Sequence, residues 1–481
     1  MPTRDHSGHD SSFFKPRAAS FRTAVSFIFI LSISLAFYST RTAFLCRPDP
    51  NPPLPSSSSS SSPAVFLRSP TNVSHIAFGI GGSASTTPGR GGYAGLWWKP
   101  NVTRGYVFLD KEPDRLDAEI PHRLSSDWTR FRTGGASDSA LRIARVVADL
   151  FSAGLTDVRW FVMGDDDTIF FPENLATVLS RYDHRKMIYV GGNSESVEQN
   201  ALHAYGMAFG GGGIAISYPL AERLSRRIDG CLNRYHYFYG SDQMIWACVQ
   251  ELGISLTRES GFHQMDIRGD PFGFLAAHPM APLVSLHHLD HVNPLFPNRT
   301  RLDSLSILMK AYGADPLRTL QHCSCSAARR RGRKWSISVA WGYAVQIYPF
   351  PMAPHELATP MQTFLTWRTW KDGPFTFNTR PPLAADPCRR PVVFYLKAAA
   401  AIDRNNGSSS TRYGKSAEEE ERGGKECGRS EVAAEVEEVV VVTAAAMDGA
   451  EFGLGSDRRR QCCEAVDGGG GIMRIRIATC V

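Results

Sequence analysis

The sequence predicts an α/β protein whose main sheet is mostly parallel and covered by helices. From residue 75 to residue 190, short apolar segments typical of strands alternate with segments of helical periodicity. This alternation is typical of parallel sheets in which ligands bind at the carboxyl ends of the strands. One such strand, at 158–163, runs directly into three consecutive aspartates, Asp165, Asp166 and Asp167.

The individual elements follow from their apolar patterns and from residues that begin or end helices. In the helix predicted at 137–151, one face is apolar, Ser137 or Asp138 can cap the start, and Gly154 fits the end. In chain order, we predict strands at 75–79 and 106–110, this helix, a strand at 158–163, a helix near 173–182, a strand at 187–190, a short strand ending at 217 and a helix within 239–253.

The three adjacent carboxylates need compensation, because their charges repel one another and lose solvation at a buried strand end. Oxygen ligands without Cys or His beside them favour Mg²⁺ or Mn²⁺, which keep several waters and bind a substrate's phosphates. The carboxylates do not alternate with other residues as an EF-hand requires. Asp165, Asp166 and Asp167 therefore predict a metal–diphosphate site, and a solvated acidic turn is the alternative.

Four consecutive glycines, at 210–213, precede the strand that ends at 217. Glycine lets the backbone approach a ligand closely, so Gly211, Gly212 and Gly213 can form one wall of a sugar or nucleotide pocket. No Lys-Ser/Thr follows them to make a P-loop, and the spacing of a dinucleotide-binding loop is absent. A tight structural turn is the alternative.

The helix within 239–253 carries a candidate general base. Ser241 is a natural N-cap, Gly253 fits the end, and Asp242 falls in the first turn, where the helix dipole favours an ionised carboxylate. A carboxylate that faces a cleft can accept a proton. The alternative is that Asp242 only compensates the dipole.

Imidazoles follow at His278 and in the adjacent pair His287 and His288. On a strand, adjacent side chains point to opposite faces, so at most one of this pair would meet a given metal. A polar role at the surface or in the core is the alternative.

The C-terminal part divides into a β-rich region at 326–400 and a tail at 401–481. From Trp335 to Ile347 every odd position is large and apolar, which predicts a long strand or hairpin with one buried face. After residue 401, polar, Glu-rich and Gly-rich segments predict a mostly disordered tail.

The N-terminal part predicts a membrane anchor. No charged residue occurs at 23–40, a strongly apolar segment at the lower length limit for a transmembrane helix. Basic residues in 1–22 indicate that this tail is cytosolic, although Arg41 and Arg47 weaken the asymmetry. A cleaved signal peptide is the alternative. Serines and prolines dominate the next segment, so 41–72 is predicted to be a flexible stem.

The rest of the chain suits the lumen of the secretory pathway. Asn72, Asn101, Asn298 and Asn406 begin glycosylation acceptor patterns, and the ten cysteines of the 481-residue chain fit an oxidising compartment. Cys231 and Cys248 are the preferred disulfide. The net charge of +6 is modest, and the absence of a basic stripe interleaved with aromatics argues against nucleic acid as a partner.

Seven segments together resemble the fringe-like glycosyltransferases of the β-1,3-galactosyltransferase superfamily, and most of all a plant subgroup long classed as a domain of unknown function. These segments are WWKPN (97–101), RWFVMGDDDT (159–168), AFGGGGIAIS (208–217), YGSD (239–242), GFHQ (261–264), SLHHLD (285–290) and WSISV (335–339). The resemblance covers about 75–396. It implies a GT-A, Rossmann-like domain at 73–325 that binds a UDP-sugar and Mn²⁺ or Mg²⁺, and a type II Golgi membrane protein.

The resemblance also implies roles for individual residues. Asp167 matches the metal-binding last acid of the triplet, and Asp165 is a further metal ligand. Asp165 and Asp166 shape the nucleotide and ribose site, and Asp242 matches the catalytic base of an inverting enzyme. His288 matches the histidine that completes the metal site. The spacing from Asp242 to His288 is longer than in fringe, so His263 is a rival ligand.

The expected activity is transfer of a galactose or N-acetylhexosamine unit from UDP to a hydroxyl of a glycan or glycoprotein. The sequence leaves open a catalytically inactive sugar-binding or scaffolding protein on the same fold. A phosphohydrolase of the Asp-x-Asp type is disfavoured, because neither its nucleophile–acid spacing nor a downstream phosphate-binding lysine pattern is present.

Overall fold

The computed structural model describes residues 69–114, 120–131, 137–328, 334–367, 373–383, 390–399, 408–415, 435–447, 461–467 and 470–479. They belong to one unit, Ser69–Val481. Within these ranges, no helix is both long and apolar enough to cross a bilayer. The predicted cytosolic tail and the transmembrane segment at 23–40 lie outside the described residues, as does most of the stem at 41–72.

Strands and helices occur throughout the described ranges. In chain order, the strands are β1 (Ile76–Gly81), β2 (Arg104–Leu109), β3 (His122–Leu124), β4 (Trp160–Asp165), β5 (Ile169–Phe170), β6 (Tyr189–Gly191), β7 (Ile214–Ser217), β8 (Leu256–Arg258), β9 (Phe262–His263), β10 (Ile267–Gly269), β11 (Ser285–Leu286), β12 (His322–Ala328), β13 (Lys334–Ala340), β14 (Ala344–Tyr348), β15 (Phe364–Thr366), β16 (Val392–Ala399), β17 (Ser409–Lys415), β18 (Glu438–Thr443), β19 (Gln461–Asp467) and β20 (Ile472–Thr479). The α-helices are α1 (Thr87–Trp97), α2 (Asp138–Ala144), α3 (Val146–Ser152), α4 (Pro172–Ser180), α5 (Val197–Leu202), α6 (Tyr218–Ser225), α7 (Ile228–Arg234), α8 (Ser241–Gln250), α9 (Phe272–Leu275), α10 (Arg301–Ala314) and α11 (Pro354–Leu357).

The main sheet has seven strands in the order β3-β2-β1-β4-β7-β6-β8. All neighbours are parallel except β7, which runs antiparallel to both β4 and β6. The central strands β1, β4 and β7 are buried apart from Asp165 at the end of β4, as expected for a sheet covered by helices on both faces. The α/β prediction is confirmed, and the mixed sheet fits a GT-A-like fold. Since β4 ends at Asp165, the acidic triplet lies at a carboxyl end.

The helix predicted at 137–151 is two helices, α2 and α3, that meet at Arg145. As expected, Ser137 caps the first, because its Oγ accepts a hydrogen bond from the backbone N–H of Ala140 at 3.1 Å. The N–H of Arg145 is shared between the carbonyl oxygens of Leu141 and Arg142, at 3.3 and 3.1 Å. This tightened turn separates the two helices.

A small sheet in the order β5-β11-β9 stands beside the carboxyl end of β4. Strand β5 follows the triplet directly, β9 contains His263, and β11 ends one residue before His287. Because β11 pairs with both other strands, this sheet brings the histidine segments close to the triplet.

The predicted β-rich region forms part of an eight-stranded sheet with the order β12-β13-β14-β16-β17-β18-β20-β19. The period-two segment is a hairpin of β13 and β14, as predicted. The prediction of a single buried face was wrong, because all residues of 335–340 are buried. The large odd-numbered side chains pack in the core, and the small even-numbered ones let other elements cover the opposite face.

The tail after residue 401 was predicted to be mostly disordered, and its described residues differ from that prediction. Strands β17, β18, β19 and β20 complete the eight-stranded sheet. Edge strands β12 and β19 contact each other and are joined by the disulfide Cys325–Cys463, so the sheet curls until its edges meet. Polar, Glu-rich and Gly-rich segments between these strands concealed them, because the prediction was based on the overall composition after residue 401.

Candidate functional site

Asp165, Asp167 and His287 form a candidate metal-binding group at the carboxyl end of β4. Each offers one ligand atom, and these atoms all lie within 4.8 Å of one another. His287 Nε2 lies 3.0 Å from Asp167 Oδ1 and 3.7 Å from Asp165 Oδ2. Asp166 and Asp167 are only 7% and 3% exposed, so a solvated acidic turn is excluded. Two carboxylates and an imidazole are a donor set that a divalent cation can use.

The prediction that His288 completes this group was wrong. Strand β11 ends at Leu286, and His288 takes a left-handed backbone conformation with φ of 55°. Its Nδ1 lies 2.8 Å from Asp266 Oδ1, and its ring stacks on Trp367 at 4.3 Å. The expected strand alternation does not extend through this pair, because the chain turns at its second histidine.

The rival ligand, His263, also lies outside the candidate metal group. Its Nδ1 is 2.9 Å from Glu195 Oε1, and its Nε2 is 2.9 Å from Nε2 of His278. All three side chains are buried. Both imidazole nitrogens of His263 therefore already have partners, and His263 and His278 act as polar core residues.

Arg90 on α1 is a member of the site that the sequence analysis missed. Its Nη1 lies 2.7 Å from Asp166 Oδ1, and its Nη2 lies 3.2 Å from Asp167 Oδ2. Asp166 Oδ2 also accepts a hydrogen bond from Thr86 Oγ1 at 2.6 Å. Trp97 holds the end of α1 against the loop after the triplet, since its Nε1 donates to the carbonyl oxygen of Thr168 at 3.1 Å. The guanidinium thus balances part of the negative charge.

The three candidate ligands differ in protonation. Burial opposes ionisation of Asp167, but His287 and then Arg90 hold its pKa well below the usual range. Burial raises the pKa of Asp165 to about 7; His287 opposes this shift, and the Asp167 charge adds to it. Burial alone would lower the pKa of His287, but the carboxylates of Asp167 and Asp165 raise it above its ordinary value. At pH values below these raised pKa values, a cation that binds here competes with protons on His287 and Asp165.

The glycine loop at 210–213 packs directly on this group. A Cβ placed on Gly211 would lie 2.0 Å from the ring of His287, so this position requires glycine. Thr168 Oγ1 donates to the carbonyl oxygen of Gly211 at 2.8 Å, and the N–H of Gly212 donates to Gln264 Oε1 at 2.6 Å. The N–H of Gly213 closes a turn onto the carbonyl oxygen of Gly210 at 3.0 Å. The loop is therefore a tight turn that also forms a wall of the site.

The same loop reaches Asp242. The N–H of Gly210 donates to Asp242 Oδ2 at 3.2 Å, and the N–H of Gln243 donates to Oδ1 at 2.9 Å. Helix α8 begins at Ser241, with Gly240 rather than Ser241 as its N-cap, and Gln243 Oε1 accepts from the N–H of Gly240. Burial raises the pKa of Asp242, and the charge of Asp242 in turn contributes to the raised pKa of Asp165. Asp242 thus interacts electrostatically with the candidate metal group.

The covalent features expected from the sequence are placed as follows. Cys231 and Cys248 form a disulfide between α7 and α8. The side chains of the acceptor asparagines Asn72, Asn101 and Asn298 are exposed. Asn406 lies outside the described residues.

Two families match the chain. A model of the fringe-like family matches residues 95–272, which contain the acidic triplet, the glycine loop and Asp242. The family described as "protein of unknown function, DUF604" matches residues 199–463, more than half of the chain. The chain belongs to the DUF604 family. This DUF604 protein is also similar to the fringe-like family over residues 95–272, in agreement with the resemblance of the sequence segments.

Curated relatives of this DUF604 protein include two that are named β-1,3-N-acetylglucosaminyltransferase lunatic fringe. The protein from Danio rerio is 26% identical over 181 residues, and the one from Xenopus laevis is 25% identical over the same length. Each alignment covers 35% of this chain and 47% of the relative. The DUF604 protein therefore aligns with about half the length of these relatives.

Solved structures similar to this DUF604 protein include two glycosyltransferases. The catalytic domain of Drosophila β1,4-galactosyltransferase 7, in complex with xylobiose, has 14% identity and a TM-score of 0.21, covering 38% of this chain and 64% of that one. A glycosyltransferase involved in glycosylation of the major capsid of PBCV-1 has 13% identity and a TM-score of 0.24, covering 47% of this chain and 98% of that one. These TM-scores are too low to define the fold. The fold is assigned from the strand order of the main sheet.

Proposed function

We propose that this protein is a metal-dependent glycosyltransferase that moves a sugar from a UDP-sugar to a hydroxyl of a glycan or glycoprotein. The observation that carries the proposal is the joint placement of two functional groups by one loop. The glycines at 210–213 contact the Asp165, Asp167 and His287 group on one side and Asp242 on the other. Similarity to the fringe-like family over residues 95–272 supports the same reaction class.

Asp165, Asp167 and His287 would hold the metal. The carboxylates suit Mn²⁺ and Mg²⁺ alike, and the imidazole favours Mn²⁺, because Mg²⁺ prefers oxygen ligands in a regular octahedron. When bound, a divalent ion supplies positive charge that stabilises a departing diphosphate. Arg90 adds a guanidinium at the edge of the same site, where it can pair with phosphate oxygens.

Asp242 is the proposed general base. A sugar hydroxyl is a poor nucleophile until its proton is removed by a base within hydrogen-bond reach. Hydrogen bonds from the N–H groups of Gly210 and Gln243 fix the carboxylate, and its raised pKa strengthens it as a base. In a single displacement, the acceptor oxygen would bond to the anomeric carbon as the bond to UDP breaks, and Asp242 would take the proton.

The donor and the location are further parts of the proposal. UDP-N-acetylglucosamine is the first donor to test, because the lunatic fringe relatives are named N-acetylglucosaminyltransferases, and UDP-galactose is the second. A type II Golgi membrane protein is supported by the apolar segment at 23–40, the disulfides and the exposed acceptor asparagines.

The test is release of UDP from each UDP-sugar by the full chain with MnCl₂, with and without a panel of methyl glycosides as acceptors. Replacing Asp242 with Asn should lower transfer by about 10²- to 10⁴-fold while UDP still binds. Asp138→Asn is the matched control, because Asp138 also lies in the first turn of a helix but is exposed. Wild-type protein that binds a UDP-sugar without transferring it would instead be an inactive sugar-binding protein.

A further inference from the structure

Two exposed tyrosines lie on the chain segments that border Asp242. Tyr239 is 70% exposed and directly precedes Gly240, the N-cap of α8. A Cβ on Gly240 would lie 2.5 Å from Asp242 Oδ1, so this backbone packs on the carboxylate itself. Tyr205, in the turn after α5, is 53% exposed. Two exposed rings on segments that border the same carboxylate form a surface that a ligand of Asp242 can contact.

The turn that carries Tyr205 contacts the helix of Asp242. A Cβ on Gly206 would lie 3.3 Å from Nε1 of Trp246, and Trp246 lies one helical turn after Asp242 on α8. Residues four apart lie on the same helix face, so this turn packs beside the face that bears Asp242. His203 lies in the same turn, and its electrostatic interaction with Asp242 lowers the pKa of that carboxyl.

The backbone beneath Tyr205 is held by polar side chains. Its carbonyl oxygen accepts hydrogen bonds from Asn193 Nδ2 at 3.1 Å and from Arg258 Nη2 at 2.5 Å. Asn193 Nδ2 also donates to the carbonyl oxygen of Met207 at 2.9 Å, and Arg258 Nε donates to Asn193 Oδ1. A ring that is exposed on a fixed backbone is preorganised for contact, because little entropy is lost when a partner binds.

We propose that Tyr205 and Tyr239 form the subsite that binds a neutral sugar ring of the acceptor. The inference rests on the proposed function, since a base must lie within about 3 Å of the hydroxyl that it deprotonates. An acceptor that reaches Asp242 must therefore pass over the residues that border it. Tyrosine suits this role because its ring covers the apolar face of a sugar while its hydroxyl forms hydrogen bonds, at low entropic cost.

The test measures acceptor binding separately from transfer. Methyl β-D-galactoside, methyl β-N-acetylglucosaminide and methyl α-L-fucoside are titrated into the full chain in the presence of UDP and MnCl₂, with binding followed by saturation-transfer NMR. For the glycoside that binds wild-type protein best, Tyr239→Ala and Tyr205→Ala should each weaken binding about three- to tenfold. Tyr239→Trp and Tyr205→Trp should bind the glycoside about as well as wild-type protein does. UDP affinity should not change in any of these variants.

The control is Tyr218→Ala. Tyr218 is also exposed, but its backbone N–H donates to the carbonyl oxygen of Arg159, which directly precedes β4 at the opposite end of that strand from the triplet. Glycoside affinity within twofold of wild type in the double variant of Tyr205 and Tyr239 would overturn the proposal, as would loss of UDP affinity in place of glycoside affinity. Absence of transfer with every UDP-sugar, with glycoside binding retained, would instead refute the proposed function.

Discussion

His287 Nε2 lies 3.0 Å from Asp167 Oδ1, and both side chains are only 4% exposed. The two residues come from different sheets: Asp167 follows β4 of the main sheet, and His287 follows β11 of the small one. Their proximity turns an acidic strand end into a three-ligand group with Asp165.

Replacing His287 should lower Mn²⁺ affinity far more than replacing His288. His287→Ala removes a proposed ligand, so Mn²⁺ affinity should fall by more than about 100-fold. His288→Asn should cost about tenfold or less, because His288 acts through Asp266 and Asn tolerates the left-handed backbone at this position. Mn²⁺ titration followed by electron paramagnetic resonance measures both. A larger loss of Mn²⁺ affinity in the His288 variant than in the His287 variant would show that His288 is the metal ligand, as the resemblance implied.

Gly211→Ala should disrupt the site without unfolding the protein. The new methyl group would lie 2.0 Å from the ring of His287, so the imidazole must leave its position and Mn²⁺ affinity should fall at least tenfold. Gly95→Ala is the control, because Gly95 lies inside α1 with nothing within 4 Å of the new Cβ, and alanine there should stabilise the helix. Equal Mn²⁺ affinity in the two variants would show that the close approach at Gly211 has no functional role.

Mn²⁺ binding should strengthen as the pH rises through neutrality. A cation binds the deprotonated ligands, and the pKa of Asp165 is raised to about 7 while that of His287 lies above its ordinary value. Below these pKa values protons compete with the metal, and above them the affinity should level off. Calorimetry at pH 6, 7 and 8 measures the trend, and Asp165→Asn should reduce the slope. Affinity that is independent of pH would contradict the assignment of both ligands.

Arg318 should be essential for stability, because it joins the C-terminal strands to the rest of the fold. Its Nε donates to Asp315 Oδ2 at 2.8 Å, its Nη1 donates to Gln461, and its Nη2 donates to the carbonyl oxygen of Ala445 at 2.7 Å. Arg318→Met would leave the carboxylate of Asp315, which is 1% exposed, without its positively charged partner.

The expected loss in the free energy of unfolding is about 3–5 kcal/mol, measured by urea denaturation. The double variant Arg318→Met with Asp315→Leu should recover part of this loss, because no buried charge then remains. A single variant within about 1 kcal/mol of wild type would show that the C-terminal strands do not depend on this contact.

The sequence predicted those parts of the site that depend on local pattern. Asp165 and Asp167 follow a strand that its apolar residues define, and Asp242 lies in the first turn of a helix that begins within one residue of the expected start. The disulfide Cys231–Cys248 joins neighbouring helices and could also be anticipated.

The rest depends on non-local geometry. His287 lies in the candidate metal group and His288 does not, because the backbone turns at His288 into the left-handed conformation. The periodicity of the sequence does not reveal this turn. Arg90 reaches the triplet only because α1 packs beside it. The strands after residue 401 lie among polar, Glu-rich and Gly-rich segments, and pairs such as β17 with β18 and β18 with β20 join strands that these segments separate.

The most direct test of the central claim is calorimetric titration of UDP into the full chain with MnCl₂ and, separately, with EDTA. We predict that UDP binds in MnCl₂, that binding falls below detection in EDTA, and that Asp167→Asn abolishes the Mn²⁺-dependent uptake. UDP that binds equally well in EDTA, or to the Asp167 variant, would contradict a metal–diphosphate site at the end of β4.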